Sequence, residues 1–114
     1  MKIELAKSTD CFEFCSAMEE HLKDKPFNKE ECFSFCFSSI IKDVVVLSKL
    51  RKKVNGFSIS KAYIRPDGTT LDLCFLHGSD EIKKALIENF KNYAKNIGCT
   101  NIILSYNNVV ERIK

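Results

Sequence analysis

The chain has no tryptophan, two prolines and four glycines in 114 residues. No low-complexity tract or linker interrupts it, and it reads as one domain. No stretch approaches the roughly 18 apolar residues that span a bilayer. The N-terminus, MKIELAKSTD, carries acids and lacks the apolar run of a secretion signal. These absences lead to the expectation of a cytoplasmic protein, away from any membrane, with reduced thiols. Charge of one sign is not concentrated either. The formal net charge is +3, and the one tight basic run is Lys49-Leu50-Arg51-Lys52-Lys53. That run reads as a solvated strand end or loop, so no nucleic-acid partner is expected.

What the chain does have is 45% apolar residues, nine phenylalanines and six cysteines. A chain of this length and balance can bury a core without staples. Four of the cysteines fall in two C-x3-C stretches, CFEFC at 11–15 and CFSFC at 32–36. On a helix, positions i and i+4 share a face, so each pair can chelate one ion. Two such pairs on neighbouring helices can make a four-thiolate site. Zinc sites more often use C-x2-C on turns, and these cysteines share apolar stripes with Phe14, Met18, Phe37 and Ile40. They are read as core, and no metal is expected. A disulfide within one C-x3-C helix needs distorted geometry.

Residues 2–6 alternate polar and apolar and read as a strand. Asp10 and Glu13 have capping-box spacing at the start of a helix that buries Cys11, Phe14, Cys15, Met18 and Leu22 and ends near residues 23–25. Asn28 and Glu31 open a second helix to about residue 42. Its apolar side holds Cys32, Phe33, Cys36, Phe37, Ile40 and Ile41. Val44–Leu50 is a β-branched run and reads as a buried strand. Residues 54–56 read as a turn, 57–65 as a strand, Pro66-Asp67-Gly68 as a turn and 69–76 as a strand. Ser79 caps a helix whose inner face is Ile82, Leu86, Phe90, Tyr93 and Ile97, with Gly98 at its end. Residues 100–106 form a last strand, and Asn107 or Asn108 starts a short helix over 109–114. The order β-α-α-β-β-β-α-β-α describes an α/β layered domain with a mixed, largely antiparallel central sheet.

Residues 71–108, LDLCFLHGSDEIKKALIENFKNYAKNIGCTNIILSYNN, resemble the central segment of the GNAT superfamily of N-acetyltransferases. The element order resembles that family as well. The resemblance implies an acyl-CoA N-acyltransferase fold with acetyl-CoA or CoA as ligand. In the family a strand leads into a loop of the form Q/R-x-x-G-x-G/A, whose backbone N–H groups and helix N-terminus cradle the CoA pyrophosphate. Carried onto this chain, the resemblance implies Phe75 and Leu76 at the carbonyl-polarising strand end, Gly78 and Ser79 in the cradle, and Asn108 at the end of the next strand. The loop here, HGSDEIKKAL, departs from the pattern. With KKAL aligned on the family's GKAL, the two family glycines fall on Glu81 and Lys83. Asp80 and Glu81 bring negative charge to the phosphates' place. No tyrosine follows Asn108 to serve as the family's acid for the leaving thiolate, and Tyr106 precedes that position.

Attack of an amine on a thioester needs a base, a donor to polarise the carbonyl and an acid for the sulfur. His77, able to titrate near neutrality, and Asp72, on the same strand face as Cys74, are the two candidate bases. Each also reads as a plain solvated position, and Cys74 as a small buried hydrophobe. Phe12, Phe33 and Phe35 flank the main stripes and cannot all face one core. They leave an apolar patch suited to a homodimer or a protein partner. Two functions follow. One is a divergent acetyltransferase-like protein with a degenerate cofactor loop and an unknown acceptor. The other is a non-catalytic binding or interaction module that keeps the fold without coenzyme A.

Overall fold

A computed structural model describes residues 1–107 in full and residues 109–112 as strand backbone. Six strands form one sheet in the order β1 (Lys2–Leu5), β2 (Val44–Leu50), β3 (Lys53–Arg65), β4 (Gly68–His77), β5 (Asn101–Leu104) and β6 (Val109–Arg112). Neighbours are antiparallel except β4 and β5, which are parallel. That parallel pair needs a crossover, and α3 (Asp80–Asn96) supplies it. Two helices, α1 (Cys11–His21) and α2 (Lys29–Lys42), connect β1 to β2. The mixed, mostly antiparallel sheet is as expected.

The sheet separates two cores. Toward α1 and α2 it presents Val45, Leu47, Phe57 and Ile59, which meet Phe14, Met18 and the helix cysteines. Toward α3 it presents Val46, Leu71, Leu73 and Leu76, which meet Ile82, Leu86 and Phe90. Each large side chain buried this way contributes about 1.5–3 kcal/mol. The alternation in β3 serves both cores. Phe57 and Ile59 fill one side, while Ser58 and Ser60 are buried on the other. Gly56 pairs with Ser48 and Ser58 with Val46, so a strip of small residues lies beneath α3. A Cβ on Gly56 would strike the Ile82 methyl and the His77 carbonyl, the latter at 2.8 Å. The close approach of α3 depends on that missing side chain.

A bulge shifts by one position which residues of β4 face each layer. Ile59 pairs with Phe75 but Ser60 with Leu73, which leaves Cys74 as an extra residue in β4. Before it, Leu71 and Leu73 face α3. After it, Leu76 faces α3 while Phe75 packs toward α1 and α2. A second bulge sets Asn55 out of register between the Ser48–Gly56 and Lys49–Val54 pairs.

Several expectations are corrected. The final segment is strand rather than helix: β6 pairs antiparallel with β5, Leu104 opposite Val109. Val109-Val110 is β-branched, which favours the strand. The turn expected at 54–56 sits instead at Arg51 and Lys52, with φ of 53° and 70°. A two-residue hairpin needs positive φ at both central positions to match the strand twist, and the pairing of Leu50 with Lys53 holds it there. Asp10 caps no N–H of α1. Its carboxylate accepts from the Lys7 N–H at 2.8 Å and pairs with Lys49 at 2.7 Å. On α2 the buried stripe is Cys32, Cys36 and Ser39, so Phe37 and Ile41 stand exposed. Ala94 rather than Ile97 continues the inner face of α3. The other two caps are as expected: Asn28 accepts from the Glu31 N–H at 3.0 Å, and Ser79 from the Ile82 N–H at 3.3 Å.

Candidate functional site

The sheet opens between β4 and β5. The two pair only at Thr70, Leu71 and Asp72. Two further backbone bonds flank this pairing: the Thr100 N–H donates to the Thr69 carbonyl at 2.9 Å, and the Tyr106 N–H donates to the Leu73 carbonyl at 3.2 Å where the split begins. From Cys74 to His77, β4 has no backbone partner on that side among the described residues. The unpaired edge begins at the bulge.

His77 ends this edge. Its ring stacks on Phe57, with centroids 5.2 Å apart and planes at 26°. His21, at the end of α1, meets it edge-on, and the two Nδ1 atoms are 3.3 Å apart. One ring must donate and the other accept, so a single proton occupies the line between them. Both rings have pKa values held below the ordinary histidine value, first by burial. For His77 the next cause is the neighbouring His21; for His21 it is the charge of Lys25 and then Lys83. Neutral rings at neutral pH follow. His77 borders a polar cleft of about 430 Å³ with Glu13, Ser16, Glu20, Lys53 and Asn55. Phe75 borders an apolar cleft of about 330 Å³ with Met18, Leu22, Phe27, Cys32 and Phe35. His21 stands between the two, its ring edge-on to Phe57 and Phe75.

Asp72 is not brought to His77. The two lie five positions apart along β4, four rungs of the ladder once the bulge is allowed for, about 13 Å at strand spacing. Asp72 is 9% exposed, and its Oδ1 accepts from the Ser105 hydroxyl and, at 3.4 Å, from the Ser105 N–H. It thereby ties the turn after β5 to β4. It also borders a cleft of about 370 Å³ with Tyr63, Arg65, Thr70 and Ile103. The Cys74 thiol donates to the Asp72 carbonyl at 3.5 Å. Burial and then the Asp72 charge raise its pKa, which leaves it a neutral thiol.

Gly78 and Ser79 do follow β4 and open α3. A diphosphate at this place needs room and free N–H groups. Gly78 has φ of 142°, and a Cβ there would meet Ile82 Cγ2 at 2.7 Å and the Asn55 carbonyl at 3.5 Å. The glycine serves packing under Ile82. The Ser79 hydroxyl already occupies the Ile82 N–H, and Asp80 and Glu81 stand exposed on the first turn. These residues do not fit a coenzyme A diphosphate held in the family's manner. Asn108 lies outside the described residues. Among the described residues, the Sγ atoms of Cys15, Cys32 and Cys36 lie within 4.8 Å of one another.

Two participants were not expected from sequence. His21 continues the buried stripe of Phe14 and Met18 at helical spacing, which is the signal that places it inward. Ser105 carries no such signal, since only the turn after β5 brings it to Asp72.

No helix among the described residues is long and apolar enough to cross a membrane. No family model matches the sequence, and no curated protein matches it. Solved structures do match. The fold is similar to a ribosomal-protein-alanine N-acetyltransferase from Brucella melitensis biovar Abortus 2308, with a TM-score of 0.76 and 14% identity over 91% of this chain and 79% of that one. It is similar to an aminoglycoside N-acetyltransferase in complex with CoA, with a TM-score of 0.72 and 11% identity over 90% of this chain and 74% of that one. An aminoglycoside acetyltransferase from an uncultured soil metagenomic sample, in complex with sisomicin, matches at 0.69 and 16% identity over 90% and 74%. With this strand order, the single parallel pair and the split beside a bulged fourth strand, the chain has the fold of the GNAT acetyltransferases.

Proposed function

We propose that this chain is a divergent acyltransferase of the N-acetyltransferase type, acting on an amine acceptor, with its diphosphate cradle eroded. The observation that carries this reading is the unpaired, bulged edge of β4 from Cys74 to His77, which ends at a neutral histidine. An acyl thioester laid along that edge finds an outward-facing backbone N–H near Phe75 and Leu76 to polarise its carbonyl. His77 takes the proton from the attacking amine and passes it to the departing sulfur as the amide bond forms and the C–S bond breaks, and His21 holds its ring in place across the 3.3 Å contact. Asp72 is given the positioning role that its bonds to Ser105 support.

Calorimetric titration with acetyl-CoA, CoA and S-acetylpantetheine tests the reading. The expected result is binding of acetyl-CoA and S-acetylpantetheine within about threefold of each other, a difference under about 1 kcal/mol, because little holds the diphosphate. No heat and no thermal shift with either compound at millimolar concentration sinks it.

A second reading has its own support. Phe12 is 74% exposed and rests its ring on Phe33, 5.3 Å away. Phe37 and Ile41, one and two turns further along α2, are also exposed. This apolar stripe suits a non-catalytic module that pairs with a second copy of itself. Phe35 belongs elsewhere, packed against Phe75 at 5.4 Å. Light scattering is expected to give a dimer mass that falls to the monomer's in Phe12→Ser and Phe37→Ser. A monomer in the unsubstituted protein at every concentration removes this reading.

A further inference from the structure

We propose that Cys15, Cys32 and Cys36 form a binding site for a thiophilic d10 metal ion, Zn(II) or Cu(I), that fastens α1 to α2. Cys15 comes from α1, and Cys32 and Cys36 stand one turn apart on α2. All three Sγ atoms lie within 4.8 Å of one another, and Cys15 and Cys32 are 3.9 Å apart. Sulfurs bound to one ion at about 2.3 Å stand about 3.8–4.0 Å from each other, in tetrahedral or trigonal geometry. The pair that spans the two helices is already at that spacing. The widest pair needs a contraction of about 1 Å, within reach of small χ adjustments.

An apolar core needs only volume at these positions, and any small hydrophobe supplies it. It does not need three sulfurs turned toward one point. The set contains neither carboxylate nor imidazole, which selects soft ions over magnesium or calcium. An ion also has a route inward. Cys32 and Met18 both border the apolar cleft below the α1–α2 connection, presenting a thiol and a thioether. Cys11, one turn before Cys15 and buried in the same core, is the nearest fourth thiol. Without an ion, burial holds two of the thiols in their protonated form: Cys15 is pushed up to about 11, and Cys36 higher still. Binding therefore exchanges protons for metal. Three thiols lose their S–H protons, three metal–sulfur bonds form, and no oxidation state changes. With Cys11 engaged, a fourth proton leaves.

The full chain, reduced and stripped with chelator, is titrated anaerobically with Zn(II), Co(II) and Cu(I) in separate experiments. One ion per chain is expected, with a sulfur-to-cobalt charge-transfer band and release of about three or four protons per ion. Saturating zinc or copper is expected to raise Tm, as for any ligand of the folded state. Uptake of only one of these two ions supports the site and identifies the ion. Cys36→Ser and Cys15→Ser are each expected to weaken binding at least about tenfold. Cys74→Ser and Cys99→Ser are expected to leave it unchanged. The unsubstituted protein's band and proton release stand on their own should a variant fail to fold. No band and no proton release from it overturns the site. So does a band that persists in both Cys15→Ser and Cys36→Ser. A Cys15–Cys32 disulfide in a protein that takes no metal after reduction overturns it too.

Discussion

Two imidazoles joined through their Nδ1 atoms make the folded protein sensitive to acid. Both rings have folded-state pKa values below the ordinary value of 6.5. Above that value both states hold neutral rings, and the full stability is present. As pH falls through it, the unfolded chain takes up protons that the folded pair resists, first through burial. Stability therefore falls with falling pH until the lowered folded values are crossed. Urea midpoints measured between about pH 7.5 and 5 are expected to drop for the unsubstituted protein. The His21→Gln variant is expected to flatten that slope, and an unchanged slope in both His21→Gln and His77→Gln would refute the assignment. His77 was legible as a candidate because it ends a strand before a helix. Its partner was legible only through the helical spacing of Phe14, Met18 and His21. The contact itself joins residues 56 positions apart, a distance that no local pattern encodes.

At the scale of elements, the hairpin between β2 and β3 carries a removable cost. Arg51 and Lys52 both hold positive φ without being glycine or asparagine, and each such residue loses about 1 kcal/mol relative to a residue suited to it. Replacing the pair by Asn-Gly is expected to stabilise the protein by about 1 kcal/mol, read as a higher urea midpoint at unchanged slope. Equal or lower stability would show that these side chains make compensating contacts. This turn was misplaced in the sequence because Asn55 and Gly56 have stronger turn chemistry. The fold uses them otherwise: Asn55 as a bulge and Gly56 as the floor under Ile82. Tertiary packing decided the role of the glycine. The helices were more legible, since Asn28 and Ser79 announce their starts chemically. The serines of β3 would have been sent to solvent by alternation alone, and the covering helix reverses that reading.

For the whole molecule, element order was enough to reach the fold, and the strand–helix–strand stretch from β4 to β5 reached it most directly. The site was less legible, because it is made of departures from regularity. The split depends on where β4 and β5 stop pairing, and Asp72 depends on a turn that follows β5. The two ends of the candidate site have also diverged from one another. The strand edge keeps an open, bulged form, while the helix end is filled by Ile82 and charged by Asp80 and Glu81. That contrast is why the nucleotide-free thioester is the informative ligand in the binding experiment.

The extra residue in β4 is also one the reading frame of sides can spare. Ser60 pairs with Leu73 and Ile59 with Phe75, so removal of the single codon for Cys74 would bring those two pairs together as consecutive rungs. Phe75 and His77 would keep the side toward α1 and α2, and Leu76 the side toward α3. What would go is the local distortion at which the unpaired edge begins. For a gene encoding this chain, losing codon 74 leaves the parity of β4 unchanged and takes away only its irregularity. A codon lost from between Phe75 and His77 would change the parity, and the candidate site with it.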